Sequence, residues 1–352
     1  MAAFIQGCAQ IEIQRGSLRY ELAPGQEGKT VHFPPPPDVP RYAYAGELIG
    51  ERNFIYDRPD KTFGQKLFEF LTGVGEGSYR ELELLRPQAV AVDPLGRIIV
   101  SDMGHTGVIV FDAVEGEARL LRRSTSQSVF VAPSGIAIGP LGTLFVADAG
   151  AGLVARIDVS GETYAPIGQG ILKRPTGVVF DKIQQRLFVA DTDESMIKVF
   201  DLEGRLIMTI GQPGVELGEF NRPTYMAASK TELYVTDTFN SRIQVFDLDS
   251  GQPKRIIGQR GTFVGQLGIP KGVAVDSEGN VYVVESLFDH LLVFDKDGRL
   301  LLPIGGTGYN TGNFYLPAGL WVDEGDKVYV ADMYNGRVVT YHYLGSFSES
   351  EE

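Results

Sequence analysis

Six acidic residues recur about 45 residues apart: Asp102, Asp148, Asp191, Asp237, Glu285 and Asp332. Each closes a short apolar run, as in Leu144-Phe-Val-Ala-Asp148 or Leu233-Tyr-Val-Thr-Asp237. Two chemistries are open to carboxylates at matching positions. Convergent ones bind a divalent cation through oxygen. Carboxylates that open loops accept backbone N–H bonds and pair with nearby arginines. The second is expected here, because Arg242 and Arg337 follow Asp237 and Asp332 at the same offset, and Arg86, Arg174 and Arg222 stand just before recurring prolines of the pattern. His105 and His290 sit at different offsets from their acids and do not form an equivalent ligand pair. Asn240, Asn310, Asn313 and Asn335 occupy loop segments with no spacing that makes them converge. The chain carries no glycine-rich phosphate loop, HExxH or nucleophile elbow. No catalytic, cofactor-binding or metal-binding residue is therefore assigned.

The elements that hold these acids repeat with them. Prolines 87, 133, 175, 223, 270 and 317 each open an apolar run, such as Pro270-Lys-Gly-Val-Ala-Val-Asp276. The run ending in the acid comes next, then a third such as Ile243-Gln-Val-Phe-Asp247, then a fourth ending Ile-Gly, as at Ile257-Gly258. Four short strands per period of about 45 residues is the pattern of a β-propeller blade. With 43 glycines and 19 prolines in 352 residues, many short strands are favoured over long helices. The fold expected is all-β: a six-bladed propeller with four-stranded antiparallel blades. A net charge of −13 argues against a nucleic-acid or anionic-lipid surface, since the phosphate attraction is missing. One cysteine excludes an internal disulfide.

The segments Arg222-Pro-Thr224, Leu233 through Asp247 and Ile257-Gly258 resemble the NHL repeat, and all six copies match over about 87–343. The resemblance implies a six-bladed propeller. Blade 5, with Pro270-Lys-Gly-Val-Ala-Val-Asp276 and Phe288-Asp-His-Leu-Leu-Val-Phe-Asp295, is similar to a group of bacterial exported NHL proteins. That group often carries a lipoprotein signal, and its activity is not established. Related propellers include amidating lyases, which use zinc held by central histidines, and lactonase-like enzymes, which use calcium held by inward carboxylates and an asparagine. Neither set is marked in this chain.

The sixth repeat stops after its third strand. Residues 42–50 alternate and end in Leu-Ile-Gly, so they are assigned as its outer strand, which removes a free edge. The propeller is expected over 41–346. An insertion at 51–85 contains Phe63, Leu67, Phe70 and Leu71 at helical spacing, with Asp60 and Gly73 as caps. Residues 9–40, with the run Pro34–Pro37, read as an extended tether, and 347–352 as an acidic tail. Cys8 follows Gly7 and an apolar stub, the arrangement of a residual lipoprotein signal over 1–8. The expectation is a lipid anchor at Cys8, holding the protein at the periplasmic or extracellular side of a cell envelope without a spanning helix. An unmodified Cys8 points instead to the cytoplasm.

Two positions after each proline stand Ala89, Gly135, Gly177, Tyr225, Gly272 and Gly319. Tyr225 breaks the series and is expected at the channel mouth, with Lys271 nearby. Loop residues Phe239, Phe288, Tyr334, Met103 and Met333 add apolar surface. Aromatics beside arginines are enriched at binding surfaces. The candidate binding face collects Arg86, Arg174, Arg222, Tyr225, Lys271, Phe288 and Tyr334. The function expected is a non-catalytic binding or scaffold propeller that engages a protein or peptide in an envelope complex. The alternative is a lyase or lactone hydrolase with a metal in the channel.

Overall fold

The computed structural model describes residues 15–20, 30–56 and 81–345. β-Branched and aromatic residues separated by turn formers produce strands of mostly five to seven residues. Blade 1 comprises Pro87–Val92, Ile98–Asp102, Gly107–Asp112 and Glu117–Leu121, paired in chain order. Blades 2 to 5 repeat this antiparallel order, beginning at Pro133–Ile138, Pro175–Asp181, Pro223–Ala228 and Pro270–Val275. Blade 6 takes Leu320–Val322, Lys327–Asp332 and Arg337–Tyr343 from the end of the chain. Its fourth strand is Tyr42–Leu48, antiparallel to Arg337–Tyr343, as the Leu-Ile-Gly ending indicates.

The second and third strands of the blades carry the core. Ile98–Asp102, Leu144–Asp148 and Arg186–Asp191 are buried at every position, because both faces of each blade are covered by neighbours. One apolar cluster joins Ile99 and Val110 of blade 1 to Ile136 and Val146 of blade 2. The inner strands approach so closely that a Cβ on Gly177 would meet the Thr224 carbonyl oxygen of the next blade at 2.3 Å. Gly135, Gly272 and Gly319 are crowded in the same way by Thr176, Ala318 and Gln88.

The tether expected over 9–40 differs from the structure at 30–40. His32–Phe33 pairs with Tyr42 and Ala43 as a fifth strand of blade 6, so the proline run is the turn between two paired strands. Phe33 packs edge-on to Tyr341 at 5.7 Å, which gives this segment an apolar reason to fold back. Ser17–Leu18 pairs with Phe54–Ile55, and Lys327 Nζ lies 3.7 Å from the Tyr20 ring centroid. The base of the insertion is pinched: Glu51 N–H donates to Leu82 O and Leu84 N–H to Ile49 O, each at 2.7 Å. Cys8, the helix expected at 60–73 and the acidic tail lie outside the described residues.

Candidate functional site

Two faces follow from the strand order. The connector face carries the links into each inner strand and the loops after each second strand. The turn face carries the remaining turns.

On the connector face the six acids are at most 1% exposed and serve their own loops. Asp102 accepts N–H bonds from Leu85, Arg86 and His105, and Asp148 from Val131, Ala132 and Ala151. Asp191 accepts from Lys173 and Arg174 N–H and pairs with Lys198 at 2.9 Å. Asp237 and Asp332 pair with Arg242 and Arg337, each at 2.8 Å, as their spacing suggests. Arg337 also reaches Glu47 of the closing strand at 2.6 Å. Burial pushes the Asp332 carboxyl up against the pull of the Tyr315 N–H and Arg337. Among the described residues no three His, Cys, Asp or Glu side chains gather to hold a metal. His105 is spent on the Glu83 carbonyl, 2.7 Å away.

Tyr225 crosses the channel. Its hydroxyl donates to Gln88 O of blade 1 at 3.1 Å, and burial pushes its phenol up. Lys271 is half-buried on the adjacent blade, and burial pushes its ammonium down. Around this rim Ser134 and Thr176 hydroxyls donate to the carbonyls of Thr176 and Thr224, each at 2.9 Å, bolting neighbouring blades. Tyr225 and Lys271 thus sit in the channel mouth, apart from the outer loops.

The outer loops hold the other candidates. Arg86, Arg174, Arg222 and Tyr334 are exposed and Phe288 is half-buried. Arg86 lies 5.9 Å from the Tyr334 ring centroid, and Arg222 the same distance from Phe239. Arg222 also pairs with Asp193 at 2.6 Å, not with a ring acid. Tyr309, Tyr315 and Tyr334 form an edge-on series at 6.0 and 5.3 Å. The sequence reading missed the tips of the connectors before blades 4, 5 and 6. Val215, Phe263 and Tyr309 there are 64%, 78% and 70% exposed. Parallel bridges Pro213↔Phe220, Arg260↔Leu267 and Thr307↔Phe314 fix these connectors, and Phe220, Leu267 and Phe314 anchor them in the core. The signal was present: each connector has the same length and a Gly-x-x-x-Gly core.

The channel opens on the turn face as a cavity of about 1130 Å³ lined by Phe180, Met226, Trp321 and Lys296, with Tyr225 also on its wall. Acids at its mouth are again self-capping: Asp93 accepts Leu95 and Arg97 N–H, and Asp323 accepts Gly325 and Lys327 N–H.

Residues 177–259 and 268–352 match the family model described as 6-bladed beta-propeller. Residues 225–305 match the SMP-30/Gluconolactonase/LRE-like region. The chain is 28% identical over 142 residues to the Drosophila melanogaster protein brain tumor, covering 39% of this chain and 13% of that protein. It is 36% identical over 70 residues to the Caenorhabditis elegans RING finger protein nhl-1, covering 20% and 7%. The chain therefore matches only a small part of the length of these curated relatives. Virginiamycin B lyase from Staphylococcus aureus has the same fold, with TM-score 0.54 and 13% identity over 74% of this chain and 95% of that one.

Proposed function

We propose, from the premise that the chain is an NHL-like six-bladed β-propeller, that it is a non-catalytic binding module whose connector face docks a protein partner. One observation carries this reading: exposed Tyr334 and Phe239 on that face lie beside Arg86 and Arg222, and Val215, Phe263 and Tyr309 are exposed at the tips of connectors held by parallel bridges. Preordered loops lose little entropy on binding, and aromatic anchors supply most of the energy at such surfaces. The acids of the same face are engaged with N–H groups and cations, which supports a structural role for them. A lipid on Cys8, placing the module in a cell envelope, completes the proposal.

The test begins with a pulldown from native membranes and identification of the partner. Tyr334→Ala or Phe239→Ala should then weaken the purified complex by about 1–3 kcal/mol. Lys296→Glu, on the turn face, should leave affinity unchanged. Loss of binding with Lys296→Glu alone overturns the assigned face. The anchor is tested separately by mass spectrometry of the native protein, where an unmodified Cys8 thiol rejects it.

A second reading, a lyase or lactone hydrolase, draws on the turn-face cavity. It requires turnover of a lactone or cyclic-peptide panel that Asp276→Asn, at an acid lining that cavity, abolishes without unfolding the protein.

A further inference from the structure

Blades 4, 5 and 6 share one plan on the connector face, with connectors of equal length and matching parallel bridges. In blade 4, Arg242 Nε donates to Asp237 at 2.8 Å, and its Nη2 donates to the connector carbonyls of Glu216 and Glu219 at 2.7 and 2.9 Å. Blade 6 repeats the device: Arg337 Nε meets Asp332 at 2.8 Å, and its other nitrogens reach Tyr309 O at 3.2 Å and Asn313 O at 2.9 Å. A guanidinium therefore joins the ring acid to the connector in both blades.

Blade 5 has the frame without the cation. His290 stands where blades 4 and 6 have arginine, Phe288 where they have Asn240 and Asn335, and Leu292 where blade 4 has Gln244. Between these residues and the connector lies a cavity of about 110 Å³, lined by Glu285, Phe288, His290, Leu292 and residues 262–266. Glu285 is 1% exposed and accepts N–H bonds from Gly268, Ile269, Leu287 and Phe288. Among the described residues no cationic side chain reaches it. Among the described residues Asp102 and Asp148 also meet no cationic side chain, but the parallel bridges of this connector are seen only before blades 4, 5 and 6.

We propose that this cavity receives the guanidinium of an arginine side chain on the partner protein, seated as Arg242 and Arg337 are seated in the flanking blades. The inference rests on the docking reading of the connector face. The guanidinium supplies the buried Glu285 carboxylate with the countercharge that Asp237 and Asp332 receive from Arg242 and Arg337. The connector is of the kind that offers two carbonyls to a planar fork in blades 4 and 6, whereas in blade 3 the Lys198 ammonium reaches Asp191 and one connector carbonyl, Ile171 O, each at 2.9 Å. Phe288 and the exposed Phe263 give aromatic walls, against which a guanidinium packs favourably.

The probe is N-acetyl-argininamide, with N-acetyl-lysinamide and free L-arginine as comparisons, titrated into the full chain by calorimetry. Saturable millimolar binding of the arginine amide, several-fold tighter than the lysine amide, is expected. Free arginine binding better than the amide would assign the cavity to a small metabolite and overturn the partner-side-chain proposal. His290→Arg should place the guanidinium in the same chain, raise Tm by several degrees, abolish probe binding and weaken the partner complex about tenfold. Phe263→Ala, at an exposed tip, should weaken the probe several-fold without altering Tm. Equal binding of arginine and lysine amides, or full probe binding by His290→Arg, overturns the cradle. The probe needs no partner, so its failure leaves the docking reading standing. Probe binding with a partner complex indifferent to Tyr334→Ala and Phe239→Ala would reject the docking reading instead.

Discussion

Gly177 shows how little room a propeller leaves at the start of an inner strand. The Thr224 carbonyl oxygen would sit 2.3 Å from its Cβ, so Gly177→Ala must push two blades apart. A loss of about 1–3 kcal/mol is expected in urea unfolding, as for other overpacked sites. Gly325→Ala, where the Cβ would meet only the Asp323 side chain at 3.4 Å, should change stability by less than about 0.5 kcal/mol. The sequence marked this column as small, with Tyr225 as its exception, but the clash partner lies in the next blade and no local pattern contains it. Glu232 gives a second test. Bonds from Arg255 at 2.7 and 2.9 Å, against burial, with further bonds from Tyr234 and Lys254, pull its carboxyl from 4.5 down to about 2. A depressed folded pKa adds stability above the unfolded value and loses it as pH falls toward the folded one. Unfolding free energies measured between pH 4.5 and 2 should therefore fall less steeply for Glu232→Gln than for the native chain.

At the scale of elements, the closing strand Tyr42–Leu48 holds blade 6 by more than its ladder. Glu47, Arg337 and Asp332 form a buried series with contacts of 2.6 and 2.8 Å, and Tyr42 meets Tyr282 of blade 5 at 3.0 Å. Arg337→Ala leaves two buried carboxylates without their cation and should cost about 3–5 kcal/mol, read from thermal or urea unfolding. Removing 1–40 takes away Phe33 and the fifth strand and should lower Tm while leaving a folded monomer. Removing 1–52 also exposes the edge of Arg337–Tyr343 and should cause aggregation, measured by light scattering. The closing strand was readable because Leu-Ile-Gly repeats the ending of its sister strands. The strand at His32–Phe33 was not, because two residues before a proline run carry no periodicity. Its fit comes from Tyr341, far away in the chain.

For the molecule as a whole, the repeats made six blades and two faces legible, and the ring acids behave as their spacing indicated. They did not reveal which face the channel opens on. That depends on Tyr225 spanning the ring to Gln88, a contact between blades 4 and 1 that periodicity cannot express. Trp321, the single tryptophan of the chain, lines the open side and reports on this partition. Tyr225→Ala should join the cavity to the connector face, so acrylamide should quench Trp321 emission more strongly than in the native protein. Unchanged quenching in a folded variant would show that Tyr225 does not seal the channel.

The contact between Glu47 and Arg337 spans 290 positions of the chain, and this separation sets a schedule for biosynthesis. At ribosomal rates the strand that completes the ring must wait roughly 15–60 s for its partner. Throughout that interval it is a nascent edge that neighbouring chains could capture, and Glu47 places a charge near its C-terminal end. A residue that ends as one half of a buried ion pair thus begins as a guard against premature pairing. Slower translation of the last blade should lengthen the exposure and increase the demand for chaperones.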